Sequence, residues 1–411
     1  MQNSNLPHAP AERLHALDNL RAVMMWLGIV LHVTMVYTVR PMPVPWHDTI
    51  SSEGADAVVG IIHAFRMPTF FIVAGFFVAL LMQKRGALGM LKNRMARLGA
   101  PFAVLWPFLF MATSICVLLF VHRAARGTWG MDESLIVPIP GHPKIATIHL
   151  WFIWMLLWFC VATFALAPLA RVVPANWRQH LGRAFAQVAS STFGLAALAL
   201  PLALLGLGYL GGFMTSSGAF VPPITEWLHN GLFYVFGLAL YHQRSVLLAH
   251  YQRRWLLYVA LGWIFITLSG VLVKTELTKP GTIPNFEFYS GLVYNLCTWF
   301  WSVGIIGLFA RTMQRSNAVL RYLSQASYWV YLIHLPLTII FGAMLVGEPI
   351  SVLSKCLINI TATTAVALLS YHLLVRSTPL GALLTGKRHP FVLPGLRVAA
   401  PMTADTATQN T

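Results

Sequence analysis

Acidic side chains are scarce in this chain, with 12 Asp and Glu among 411 residues, and charged residues of both signs reach only 10%. Soluble globular domains carry about a quarter of their residues as charge, so a water-soluble enzyme of this size is excluded. Cysteine is rarer still: Cys116, Cys160, Cys297 and Cys356 all fall within apolar runs. They read as small packing residues, and their spacing indicates neither a disulfide framework nor a metal cluster, so no metal is expected. No G-x-S-x-G elbow is present, which removes the α/β-hydrolase nucleophile. Internal repeats are absent, and paired broken helices of the kind that mark many transporters are not found. The polar first sixteen residues place no basic cluster ahead of a short apolar stretch, so the first apolar run reads as an uncleaved span rather than a secretory leader.

What fills the chain instead is hydrocarbon. Apolar residues make up 57% of positions, and the mean hydropathy is +0.68. In lipid every backbone N–H and C=O must pair internally, which leaves helices or a closed barrel. The runs here exceed the roughly ten residues of a barrel strand and do not alternate with period two. The expected fold is therefore an all-α polytopic membrane protein. Ten runs of about 20 residues are placed at 17–39, 57–83, 99–121, 146–170, 189–210, 226–243, 255–273, 289–311, 324–346 and 351–375. This divides the chain into an amino-terminal segment 1–16, a transmembrane domain 17–375, and a disordered tail 376–411.

Orientation follows from Lys and Arg. With these spans, 19 basic residues lie on the side of the amino terminus, among them Lys84, Arg85, Lys92, Arg94 and Arg97, and 6 lie opposite. Short cytoplasmic loops retain positive charge, so both termini are expected in the cytoplasm. The formal charge of +16 is spread over every inner loop rather than collected on one face, so nucleic acid is not an expected partner. The lipid bilayer is one; self-association into a homo-oligomer is left open.

Ionisable groups inside spans cost about 2.5–3.5 kcal/mol at a helix centre and so mark function. Arg21 and His32 in LDNLRAVMMWLGIVLHVTMVY are eleven residues apart, about three turns and roughly 16 Å along one helix face. Asp18 lies one turn from Arg21 and can pair with it. The second span carries His63 and Arg66 one turn apart with Pro68 beside them; Arg66 lies too deep to snorkel, leaving an ion pair or an anion site. His149 and Trp151 open the fourth span and are expected at the outer interface, where tryptophan belts form. Tyr328, Tyr331 and His334 share a face of the ninth span, and His334 stands near the midplane ahead of Pro336. Two mid-membrane histidines with an arginine between their levels point to a reaction chamber inside the bundle.

These segments carry a resemblance. LDNLRAVMMWLGIVLH, HAFRMPTFFIVAGFF, NRMARLGAP, HLWFIW and YWVYLIHLPLTIIFGA, with weaker support from LFYVFGLALY and STPLGALLTGK, resemble acyltransferase family 3 of the membrane O-acyltransferases. They extend in order over nearly all of 17–388. One departure is Ala74-Gly75-Phe76, where the family commonly has Ser-Gly-Phe. The resemblance implies transfer of an acyl group from cytoplasmic acyl-CoA to a carbohydrate hydroxyl on the outer side. It points to the branch that succinylates osmoregulated periplasmic glucans, and so to succinyl-CoA as co-substrate and the bacterial inner membrane as location.

It also implies roles. His32 and Arg21 take the family's catalytic histidine–arginine pair, Arg94 and Arg97 its inner-loop arginines, and Arg66, His149 and His334 the positions of its other polar motifs; from their charge and place, Arg94 and Arg97 are expected to bind the acyl-CoA phosphates and Arg66 the carboxylate of a succinyl donor. His149, Trp151, Tyr331 and His334 take the substrate. A sugar hydroxyl is a poor nucleophile near neutrality, and histidine is suited to removing its proton as it attacks a thioester. With no cysteine beside a base, direct transfer is favoured, and a transient acyl-histidine stays open. Trp46, Trp129 and Trp151 offer ring faces for sugars. The alternatives are another short acyl donor with another surface glycan, or a transporter or flippase.

Overall fold

The computed structural model describes residues 11–40, 42–137, 139, 141–314 and 318–386, with side chains from His15 onward. Among them there is no strand; the chain is all-helical, as the hydropathy requires. Thirteen α-helices follow in order: α1 (Ala11–Thr34), α2 (Glu53–Arg94), α3 (Ala100–Arg126), α4 (Trp151–Val172), α5 (Ala175–Ser190), α6 (Thr192–Ala197), α7 (Ala199–Leu205), α8 (Ile224–His242), α9 (Arg244–Thr278), α10 (Phe286–Thr312), α11 (Ala318–Leu345), α12 (Val352–Ser370) and α13 (Pro379–Thr385).

Seven helical runs among the described residues are long and apolar enough to cross a membrane, or eight if a bent pair is one span. The protein is thus a polytopic membrane protein. The count is lower than the ten expected runs for three physical reasons. The second and third expected spans lie within one run, Glu53–Arg126, interrupted between them by Gly86, whose φ of 69° breaks the helix, and by a π-helical turn at Met95–Gly99. The sixth, α8, begins with Glu226, His229 and Asn230, which lower its hydropathy. The fifth is broken into α6 and α7, which leave the amphipathic α5 at a bend of 95°. Two edges also differ: α1 starts at Ala11, inside the segment expected to precede the domain, and α13 forms within the expected tail. Residues 387–411 of that tail and residues 1–10 lie outside the described residues.

Two helices form the axis. In the apolar stretch of α1, 67% of residues are buried within the protein, and in α10 72%, against 22% in α9. Peripheral helices turn rows of apolar side chains outward, such as Phe108, Met111 and Ile115 on α3, a surface that hydrocarbon satisfies and water does not. Where α2 crosses α8, Gly75 faces the carbonyl of Tyr234 and Gly237 faces that of Ile72, each so closely that a Cβ would collide with backbone. Such small-residue contacts let helix backbones approach where lipid provides no hydrophobic drive. Gly75 of the Ala74-Gly75-Phe76 motif is therefore a packing residue.

The loops gather at two ends. At one, Asn19 Nδ2 donates to Met313 O (3.2 Å) and Arg97 Nη1 to Ala382 O (3.2 Å). At the other, Lys355 pairs with Asp48 at 2.8 Å, both side chains fully enclosed, while Arg123 meets Glu348 and Lys274 meets Glu53 at 3.8 Å each. The Asp48 carboxylate explains why α12 tolerates a buried lysine, since a lone charge there would go unpaired.

Candidate functional site

α1, α2, α11 and the turn before α4 converge between the two ends. His32 comes from the last turn of α1 and His334 from the middle of α11, two residues before Pro336. Their ring centroids are 5.1 Å apart, and His149 stands 5.0 Å from His334 in an edge-on arrangement. Arg66 completes the group from α2. A Cβ on Gly28 of α1 would lie 2.5 Å from Arg66 Nη2 and 3.3 Å from His334 Nε2, so the guanidinium and the imidazole share one spot against α1.

His149, expected at the outer interface, is enclosed by the protein. It is buried against Tyr331 and His334, and the backbone that carries it is strained: Ile148 has φ of 50° in the short helical turn Ile148–Leu150. A β-branched residue at positive φ is a genuine outlier, costing about 1–3 kcal/mol, and persists only where its surroundings over-determine it. Here they do. The N–H and the hydroxyl of Thr147 both donate to Gly218 O (2.7 and 2.9 Å). Tyr331 Oη donates to His149 O (2.7 Å), and His149 Nε2 donates to Leu332 O (2.9 Å).

These bonds assign tautomers. His149 spends Nε2–H on a carbonyl, so its Nδ1, which has no partner, is an acceptor. His334 donates from Nδ1 to Tyr331 O (2.7 Å), leaving Nε2 as a buried acceptor without a partner. Two bare imidazole nitrogens thus belong to one cluster with a third histidine, His32, whose Nδ1 contacts Met35 Sδ at 3.2 Å. Arg66 is 4% exposed, and among the described residues it has no carboxylate partner; its Nε donates to Met24 O (2.9 Å). That disposes of the ion-pair reading and leaves a cation among neutral bases, an arrangement able to hold an anion or an oxygen that acquires charge.

Arg21 does not join this group. It shares a helix face with His32 but stays near the other end of α1, half-exposed, 3.5 Å from Asp18 and over the ring of Phe77 at 6.0 Å. Arg94 and Arg97 lie near the same end, at the α2–α3 junction. Arg94 Nε is buried with no partner, whereas Arg97 is engaged by the α13 carbonyl, which the one-turn spacing did not foretell. Of the three tryptophans, Trp46 is buried, Trp129 is exposed but covered by the Arg123 guanidinium at 5.0 Å, and Trp151 lines a cleft beside the histidines. That cleft also contains Glu226 and His229, which the sequence reading passed over. The available signal was an acid and a histidine within the first two turns of an apolar run. Among the described residues no group of three or more His, Cys, Asp or Glu has the geometry to hold a metal ion.

Comparison with known proteins bears on this arrangement. A family model described as an acyltransferase domain matches residues 14–373. The chain is 26% identical over 393 residues to the glucans biosynthesis protein C of Escherichia coli strain K12, covering 92% of this chain and 96% of that protein. Proteins of the same name from Escherichia coli O17:K52:H18 and Shigella dysenteriae serotype 1 give the same identity and coverage. No solved structure matches.

Proposed function

Because the chain belongs to the acyltransferase family whose model spans residues 14–373, we propose that it is an O-succinyltransferase of the bacterial inner membrane. In this reading it crosses the bilayer ten times with both termini in the cytoplasm. It moves a succinyl group from cytoplasmic succinyl-CoA to hydroxyls of a periplasmic glucan. Donor and acceptor are suggested by the relatives' name, glucans biosynthesis protein C. The orientation is supported by the basic residues gathered at the Arg21, Arg94 and Arg97 end.

The observation that carries the chemistry is the convergence of His32, His149 and His334 inside the bundle with Arg66, which has no carboxylate partner among the described residues. His32 removes the proton of the attacking sugar hydroxyl. The oxygen forms an ester bond to the thioester carbon, the C–S bond breaks, and the thiolate of CoA leaves with the proton from His32. The bare nitrogens of His149 and His334 accept hydrogen bonds from the sugar and fix its approach, with Tyr331 holding the His149 turn. Arg66 takes the distal carboxylate of the succinyl group through two parallel N–H donors. Arg94 and Arg97 hold the CoA phosphates at the cytoplasmic mouth, Arg21 lies along the path of the pantetheine arm, and Trp151 packs against the sugar.

The test is transfer in detergent. Radiolabel from succinyl-CoA should appear on glucan incubated with purified protein, with no membrane to cross. A carrier gives no labelled glucan under these conditions, and that outcome would overturn the reading.

A further inference from the structure

A second polar site adjoins the histidine cluster, and the chemistry assigned to His32 makes no use of it. His63, Trp151, Ser216, Glu226, His229 and Asn230 line a cleft among α2, α4, α8 and the loop before α8. His63 stands one turn from Arg66 on α2, and Trp151 follows His149 by two residues, so the cleft opens directly beside the reacting groups.

Its chemistry is unusual for a bundle interior. Glu226 is 2% exposed, and among the described residues no lysine or arginine pairs with it. Its carboxylate accepts from Ser217 N–H (2.8 Å) at Oε1 and from the Ser216 hydroxyl (3.1 Å) at Oε2. A carboxylate has about four acceptor positions, so two are unspent, and a buried charge short of donors is costly. One turn along the helix, the buried Nδ1 of His229 has no partner. His63 is locked in place: its Nδ1 bonds Tyr294 Oη at 2.9 Å and its ring stacks on Phe213 at 3.7 Å.

A site that presents a carboxylate with open acceptor positions, an unpaired imidazole nitrogen and an indole face wants a neutral molecule rich in hydroxyls. Vicinal hydroxyls donate to the carboxylate and still accept from neighbours, and the C–H face of a pyranose packs on the indole. A cationic ligand is disfavoured by Arg66 one turn away.

We propose that this cleft, about 30 Å³ in volume, is the acceptor subsite and admits the hydroxyl edge of one pyranose ring of the glycan, with Glu226 accepting two ring hydroxyls and Trp151 covering an apolar face at its mouth. The ligand's identity rests on the acyl-transfer reading; the site itself rests on the geometry. Seated there, a neighbouring hydroxyl of the same ring, or of the next, reaches the His32, His149 and His334 cluster.

The experiment uses the full chain in detergent with a neutral gluco-oligosaccharide as probe. Without acyl-CoA, the sugar should slow hydrogen exchange of wild-type protein at 213–218 and 226–230; no slowing at saturating sugar overturns the proposal. E226Q keeps an acceptor oxygen for Ser217 N–H and so preserves the loop. It should raise the KM for the oligosaccharide about tenfold or more, the scale of losing charge-assisted hydrogen bonds. The KM for succinyl-CoA should be unchanged. If E226Q lowers kcat while the sugar KM stays at the wild-type value, Glu226 is a clamp on the 216–218 loop and the subsite is refuted. Exchange protection by sugar in a wild-type protein that transfers no acyl group would instead sink the transferase reading and leave the binding site standing.

Discussion

Replacing Gly28 by alanine should disable acyl transfer while leaving the fold nearly as stable as before. The new Cβ would lie 2.5 Å from Arg66 Nη2, 3.3 Å from Arg66 Cζ and 3.3 Å from His334 Nε2. Ordinary van der Waals contact begins near 3.5 Å, so the guanidinium must retreat by about 1 Å. Arg66 cannot do so freely, because its Nε is bonded across to α1, at Met24 O one turn before Gly28. The two energetic consequences for stability oppose each other: alanine in a helix interior gains about 0.8–1 kcal/mol over glycine, and overpacking a filled site costs about 1–3 kcal/mol. The net change is a loss of about 0–2 kcal/mol. The consequence for rate is not offset, since misplacing a positioned group by about 1 Å costs on the order of 100-fold. Gly60→Ala on α2 is the control, because a Cβ there meets nothing within 4 Å. Transfer of labelled acyl groups to glucan, measured beside thermal stability in detergent, should show G60A at the wild-type rate and G28A about 100-fold lower. If G28A transfers as fast as G60A, the position of Arg66 is immaterial and the reacting centre lies elsewhere.

Other substitutions test separate parts of the same reasoning. His32→Gln should abolish transfer while acyl-CoA binding, followed by calorimetry, stays near wild type; near-normal turnover would remove His32 as the base. The Arg94→Ala, Arg97→Ala pair should weaken acyl-CoA binding more than it lowers kcat at saturation, because a phosphate contact is present in ground and transition states alike, and an unchanged dissociation constant would reduce both residues to cytoplasmic-side charge. Arg66→Lys should impair succinyl transfer more than acetyl transfer from the matching thioesters, since lysine cannot reproduce a bidentate carboxylate contact; equal losses would reassign Arg66 to the reacting oxygen. Lys355→Met should destabilise the protein by about 3–5 kcal/mol by stranding the buried Asp48, and the double change with Asp48→Leu should recover much of that in a thermal melt.

Most of the helical architecture and part of the site were legible along the chain. Hydrogen bonding of a helix is local, and hydrocarbon requires it, so long apolar runs disclosed helices. The 3.6-residue period placed Arg21 and His32 on one face, Asp18 beside Arg21, and His334 with Tyr331. Which polar groups meet was not legible in this way. His149 read as an interfacial residue, because nothing local announces the strained Ile148 turn, which stands only because Gly218, 71 positions onward, accepts from Thr147. Lys355 is a lone charge in an apolar run along the chain, and its partner Asp48 stands 307 positions earlier. Glu226 was passed over because an acid at the start of a run carries no sign of whether water or protein surrounds it. Hydropathy and periodicity are properties of a residue and its near neighbours, whereas the partner of a desolvated charge is chosen by packing between distant helices, and for this protein that packing brought His32, His149, His334 and Arg66 together.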